Sequence, residues 1–100
     1  MPQLVMEVPH TLGQAAAIER LKREFEVAKE TYQSHISELE EEWTEGTLRF
    51  SFRAAGMNIS GDLVVEERVV KIHSHLPLPA LMFKGVIDQR VREELGKLLS

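Results

Sequence analysis

Residues 47–76, TLRFSFRAAGMNISGDLVVEERVVKIHSHL, alternate between apolar and polar side chains, and this period of two decides the fold. Successive side chains of a β-strand point to opposite faces, so the alternation predicts strands with one buried and one solvated face. Turn-forming residues at 55–58 and 66–68 divide the stretch into three strands. Their apolar sides consist of Leu48, Phe50 and Phe52, then Met57, Ile59, Leu63 and Val65, then Val70, Ile72 and Leu76.

Two further strands are predicted on the amino-terminal side of this stretch. Residues 3–8 alternate in the same way and form a first strand. A second strand ends at Trp43 and is joined to the next one by a turn at residues 44–46. Its polar side consists of Glu38, Glu40 and Glu42.

Two amphipathic helices are predicted from apolar residues that recur at steps of three and four. Thr11 and Gln14 form a capping-box pattern at the start of the first helix, which runs to about Tyr32. The packed stripe of this helix is Ile18, Leu21, Phe25, Ala28 and Tyr32. The stripe of the last helix is Phe83, Ile87, Val91, Leu95 and Leu98.

These elements predict an α+β fold in two layers. An antiparallel sheet with one solvated face needs cover on its other face, and the two helices supply it. We therefore expect a five-stranded, mostly antiparallel sheet with two helices on one face, in the order β-α-β-β-β-β-α. By analogy, such a sheet can curl around the last helix as a reduced helix-grip. Residues 1–100 are expected to form a single α+β domain.

Composition and charge narrow the classes of function. A net charge of −4 argues against nucleic-acid binding, and the absence of cysteine excludes thiolate catalysis and sulfur metal sites. The first residues lack the pattern of a signal peptide and no apolar run reaches the length of a membrane span, so a cytoplasmic protein is expected. Because the sequence contains no serine elbow and no glycine-rich phosphate loop, we expect neither a cofactor nor enzyme activity.

His73 and His75 form the candidate polar site. They lie two positions apart on a predicted strand, so both imidazoles project from one face, as they would at the beginning of a metal site. A metal site needs more ligands, and the glutamate-rich second strand need not be a neighbour. A solvated polar face is therefore the favoured interpretation, and no metal ligand or catalytic residue is assigned.

The stretch 76–87, LPLPALMFKGVI, contains more apolar side chains than the start of a helix needs. Two prolines fix φ and delay the helix, so these side chains cannot all lie on one stripe. Three interpretations stay open: the side chains close one end of the core, line a cavity for an apolar ligand, or form an exposed contact surface. The candidate contact residues are Leu78, Leu81, Met82, Phe83 and Val86.

Several landmarks together point to a known family. They are VPHTLG at 8–13 before an alanine-rich helix, the hairpin at 43–52, ISG at 59–61, LP at 76–77 and KGVI at 84–87. With these landmarks, nearly the whole chain resembles the polyhydroxyalkanoic acid system family, also described as polyhydroxyalkanoate granule region proteins. The resemblance implies a place in polyester storage metabolism, at the granule surface, and supplies no catalytic residues to transfer.

Three hypotheses for the function follow. The first is a non-enzymatic accessory protein of polyhydroxyalkanoate metabolism that contacts the polyester granule, or a granule-bound protein, through the candidate apolar residues. The second is a small domain that binds an apolar ligand, such as an acyl chain, between the sheet and the last helix. The third is a homodimer that buries the same apolar residues.

Overall fold

The computed structural model describes residues 3–77 and 82–100. Its elements follow the predicted order β-α-β-β-β-β-α. They are β1 (Gln3–Pro9), α1 (Gln14–Thr31), β2 (Ile36–Thr44), β3 (Thr47–Ala54), β4 (Met57–Val65), β5 (Val69–His75) and α2 (Lys84–Leu98).

The five strands form one antiparallel sheet in the order β1-β5-β4-β3-β2. Tight turns join β2 to β3 at Glu45 and Gly46, and β3 to β4 at Ala55 and Gly56. All four turn residues have positive φ, between 47° and 82°, which is the turn geometry that matches the twist of the flanking strands. The turns predicted at 44–46 and 55–58 are therefore confirmed.

One face of the sheet, which we call the inner face, is covered by both helices. It contributes the buried side chains of Leu4, Met6, Val8, Leu48, Leu63, Val65, Val70 and Ile72. The helices add Ala17 and Leu21 from α1, and Leu95 from α2. The opposite face, the outer face, carries the alternating polar side chains and is open to water. The predicted two-layer α+β fold is confirmed.

A β-bulge interrupts β2. The register with β3 shifts between Ser37 and Glu40, and Glu38 within the shift has a φ of 53°. An extra residue in one strand breaks the alternation of its side chains. The prediction that Glu38, Glu40 and Glu42 form one regular row is therefore wrong at Glu38. Alternation in the sequence gave no sign of the bulge.

Beyond the bulge, long side chains of α1 reach β2. The Lys22 ammonium stands 5.3 Å from the centroid of the Trp43 ring, and Lys29 pairs with Glu41. Hydrogen bonds to Glu26 and Glu41 raise the pKa of Lys29. These contacts place the Glu41 carboxylate on the side of the sheet that faces α1, the same side as Trp43.

His10 joins the end of β1 to the turn between β4 and β5. Its buried ring donates from Nε2 to the Glu66 carbonyl at 2.9 Å and accepts at Nδ1 from the Leu12 amide at 3.2 Å. The backbone amide of His10 donates to the Arg68 carbonyl at 2.9 Å. His10 therefore holds the segment after β1 against the turn between β4 and β5.

The same turn holds the start of α1. The Gln14 side chain donates to the Val65 carbonyl at 3.0 Å, so it fastens the helix to the sheet. The Gln14 backbone amide donates to the Glu67 carboxylate at 3.3 Å, so the first turn of the helix is capped from the β4–β5 turn. The predicted capping box of Thr11 and Gln14 is therefore wrong, because the glutamine side chain is engaged elsewhere.

We expect His10→Ala to destabilise the fold by about 1–3 kcal/mol, because it leaves the Glu66 carbonyl and the Leu12 amide without the imidazole. Urea denaturation measures the change. The control is His35→Ala, since His35 is exposed and its replacement is expected to change the free energy of unfolding by less than about 0.5 kcal/mol. Equal effects of the two variants would contradict this role of His10.

Gly61 marks a close approach of β4 and β5. A Cβ atom at this position would lie 2.5 Å from the His73 carbonyl oxygen and 2.8 Å from the Ser74 Cα. Gly61→Ala is therefore expected to cost about 1–3 kcal/mol in urea denaturation. Gly96→Ala is the control, because a Cβ there meets nothing within 4 Å and alanine favours the helix by up to about 1 kcal/mol. If Gly61→Ala leaves the free energy of unfolding unchanged, β4 and β5 can move apart at position 61 at little cost in free energy, which would contradict the prediction.

Candidate functional site

Three large apolar side chains are exposed where the chain enters α2. The exposed fraction is 86% for Met82, 59% for Phe83 and 68% for Val86. We call these three residues the apolar surface. Leu78 and Leu81, the other two predicted contact residues, lie outside the described residues.

The point at which α2 begins explains why these side chains face outward. Phe83 is the N-cap, with a φ of −110° and a ψ of 11°, and the helix proper begins at Lys84. Ile87, Val91 and Leu95 follow at helical spacing and pack against the core. The prediction that this packed stripe begins at Phe83 is therefore wrong, because a cap residue precedes the regular helix. Met82 and Val86, four residues apart, lie beside the stripe rather than on it.

Hydrogen bonds hold α2 in this orientation. On the side of β1, the Arg92 guanidinium donates to the Glu7 carbonyl at 3.2 Å and to the Asp88 carboxylate at 3.1 Å. On the side of α1, Arg20 donates to the Leu98 carbonyl at 3.2 Å and to the Ser100 carbonyl at 2.7 Å. The helix is thus fastened toward its carboxyl end, while its amino end carries the apolar surface.

Two apolar residues near the end of α1 were not predicted as contact residues. Val27 is 52% exposed and Tyr32 is 49% exposed; we call them the α1-end pair. They line a groove of about 510 Å³ between the two helices, together with Leu95 and Leu98. The sequence placed Tyr32 on the packed stripe, but α1 ends at Thr31 and the tyrosine occupies the C-cap. Because α1 ends one residue before Tyr32, the last apolar residue of the predicted stripe lies outside the helix and is exposed.

His73 and His75 lie on the outer face of β5, with ring centroids 5.6 Å apart. The His73 ring bonds to the Gln3 side chain at 2.6 Å, whereas Nδ1 of His75 is buried and has no partner among the described residues. Two strands separate β5 from the glutamates of β2. Within residues 3–77 and 82–100, no three His, Asp or Glu side chains are grouped as metal ligands. A role of these histidines in a polar site stays a prediction.

The outer face contains a shallow depression of about 580 Å³ that runs from His75 toward β2. Its charged side chains include Glu40, Glu42, Arg49 and Asp62. Arg49 pairs with Asp62 on the neighbouring strand at 3.4 Å, and both side chains are largely in water. Acidic side chains outnumber basic ones in this depression, so it is a solvated polar surface, unlike the apolar surface at the start of α2.

Comparison with known proteins identifies one family. A sequence model described as "Putative polyhydroxyalkanoic acid system protein" matches residues 4–99. The chain belongs to this family. The resemblance indicated by the landmarks is thereby confirmed. Neither the curated proteins nor the solved structures contain a match to the chain.

Two of the family landmarks now have a place in the structure. Residues 8–13 form the corner around His10, at the end of the sheet where β1 finishes. Residues 84–87 form the first turn of α2, next to the apolar surface. Neither helix in the described part of the chain has the length and apolar character needed to cross a membrane.

If the apolar surface has no structural role, charging it leaves the fold intact. We expect Met82→Lys with Val86→Lys to change the free energy of unfolding by less than about 0.5 kcal/mol, because both side chains are exposed. Leu21→Ala, at a fully buried position, serves as the comparison and is expected to cost about 2–5 kcal/mol. A loss above about 2 kcal/mol in the double variant, measured by urea denaturation, would place these side chains in the core.

Proposed function

We propose that this protein is a non-enzymatic accessory protein of polyhydroxyalkanoate metabolism that adheres to the surface of polyester granules in the cytoplasm. Adhesion uses the apolar surface of Met82, Phe83 and Val86, with Leu78 and Leu81 as the remaining candidate contacts. The observation that carries the proposal is the exposure of the three described side chains at one point of the fold. Membership of the polyhydroxyalkanoic acid system family supports a role in polyhydroxyalkanoate metabolism.

A storage polyester offers a suitable partner for such a surface. It is a hydrophobic phase, and burial of apolar area against it contributes roughly 25 cal/mol per Å². A contact of about 300 Å² would then contribute on the order of 7 kcal/mol before the cost of association, which is of similar size. Three side chains therefore support weak adhesion on their own, and every further apolar contact strengthens it.

The packing beneath α2 favours surface adhesion over an internal ligand. Leu4, Met6, Ile72, Leu95 and Leu99 are all buried in one apolar cluster with the inner face of the sheet. Space between the sheet and this helix is thus occupied by side chains of the protein itself. The apolar residues that remain accessible point away from this cluster.

The test is co-sedimentation of the purified protein with protein-free polyhydroxybutyrate particles over a range of protein concentrations. Saturable adsorption of the wild type is expected. Met82→Lys with Val86→Lys is expected to raise the half-saturating concentration at least about tenfold, because full burial of each lost side chain is worth about 1.5–3 kcal/mol.

The matched control is Thr11→Lys with Thr44→Lys, which adds the same charge at two exposed positions away from α2. Its half-saturating concentration is expected to stay within about twofold of the wild type, a change of less than 0.5 kcal/mol. Absence of wild-type adsorption to clean particles, together with binding to native granules, would make a granule-bound protein the partner. Absence of both would overturn the proposal.

A further inference from the structure

Apart from Val5 on β1, the large apolar side chains exposed in the described part of the chain form two groups. The first is the apolar surface at the start of α2, where each side chain is more than half exposed. The second is the α1-end pair, which borders the groove between the two helices. One group projects from the molecule and the other lines a concave site, so a contact between the two groups would remove both from water.

The groove has the size and the lining of a docking site. Its volume of about 510 Å³ lies within the range of clefts that bind small molecules. Val27 and Ala28 contribute apolar side chains from α1, and Leu95 and Leu98 contribute them from α2. Because Leu95 also belongs to the buried core, the groove is built on packed side chains and keeps its shape.

The apolar surface has the spacing of a helix that docks in a groove. Phe83 and Val86 are three residues apart, and Met82 and Val86 are four apart. Side chains at these intervals lie on the same side of a helix, and helices that dock in apolar grooves use them as anchors. The three side chains therefore form one apolar group at the amino-terminal tip of α2.

The two sites carry opposite net charge. Lys84 lies within the apolar surface, and the amino end of the α2 dipole adds to its positive charge, since the first turn contains no acidic residue. The groove is lined by the carboxylates of Glu24 and Glu94 and by one ammonium, that of Lys97. Neither Lys84 nor Glu24 forms a salt bridge within residues 3–77 and 82–100, so each is available to the other across a contact between two molecules.

The apolar surface cannot fill the groove of its own molecule. Val86 and Glu94, the nearest α2 residues of the two sites, are eight residues apart on one helix, or about 12 Å. The occupant must therefore come from another molecule. A second copy of this chain supplies both the apolar anchors and the positive charge that suit the groove.

We infer that copies of this protein associate head to tail: the apolar surface of one copy docks into the groove between α1 and α2 of the next, with Lys84 beside Glu24 of that copy. The contact joins two different surfaces, so every copy keeps one of each, and association continues into rings or short chains. Three anchoring side chains make a small interface, and small interfaces belong to weak, transient complexes.

Self-association and adhesion use the same three side chains. A copy that adsorbs to polyester must therefore withdraw its apolar surface from its neighbour, and this part of the inference rests on the proposed function. In solution the contact covers apolar side chains that would otherwise face water. Polyester and a second copy then compete for one site.

The first test is sedimentation velocity from micromolar to millimolar protein. The wild type is expected to grow beyond a dimer as its concentration rises. Met82→Lys with Val86→Lys, which removes the projecting site, and Val27→Lys with Tyr32→Lys, which removes the groove, are each expected to stay monomeric. An equimolar mixture of these two variants is expected to form a 1:1 complex and stop there, because it retains one intact pair of surfaces.

The mixture distinguishes a head-to-tail contact from a symmetric one. If the groove variant still associates by itself, the contact is symmetric at the apolar surface; if the other variant does, it is symmetric at the groove. Either result, or a wild type that stays monomeric at millimolar concentration, would overturn the inference. Thr11→Lys with Thr44→Lys adds the same charge at exposed positions elsewhere and is expected to associate like the wild type.

The second test exchanges two charges at exposed positions, where the variants are expected to fold like the wild type. Lys84→Glu and Glu24→Lys are each expected to raise the dissociation constant about threefold or more, because each places like charges at the contact. The double variant restores opposite charges and is expected to return within about twofold of the wild type. A double variant weaker than both single variants would contradict the docking of Lys84 beside Glu24.

Adsorption to polyhydroxybutyrate particles separates this inference from the proposed function. At low micromolar protein, Val27→Lys with Tyr32→Lys is expected to adsorb within about twofold of the wild type, since its apolar surface is intact. Adsorption without self-association would overturn head-to-tail docking and leave adhesion standing. Self-association without adsorption to clean particles or native granules would overturn adhesion and leave head-to-tail docking standing.

Discussion

The hydrogen bonds of His10 form the corner on which the rest of the structure depends. Through its ring and its backbone amide, the residue ties the end of β1 to the β4–β5 turn. Four residues later, Gln14 and Glu67 fix the start of α1 at that turn. Since Arg20 of α1 then holds the carboxyl end of α2, the positions of both helices over the sheet follow from this corner.

Much of the fold could be predicted because the burial of one sheet face leaves a period of two in the sequence. The strands follow from that period, the two tight turns from their turn-forming residues, and the helices from apolar residues at steps of three and four. The bulge at Glu38 could not be predicted, since an inserted residue shifts the register without changing the residue types around it. The cap of α1 was missed because the Glu67 carboxylate comes from a turn more than fifty residues away.

The sequence predicted which apolar residues form the candidate site, but it did not predict whether their side chains are exposed. An excess of apolar residues before α2 is visible in the sequence, and Met82, Phe83 and Val86 are part of it. Whether they face the core depends on where the helix begins, and a shift of one residue turns a side chain by about 100°. Tyr32 shows the same effect at the other helix, where one cap residue separates the packed stripe from water.

Both edge strands of the sheet carry features that oppose the addition of further strands. The bulge distorts β2, an edge that also carries several glutamates. On β1, Pro9 lacks an amide hydrogen and Arg92 occupies the Glu7 carbonyl. Adsorption concentrates a protein in a thin layer, where open strand edges would join neighbouring copies into fibrils. Under the proposed adhesion, these features would oppose strand pairing between copies adsorbed side by side on one particle.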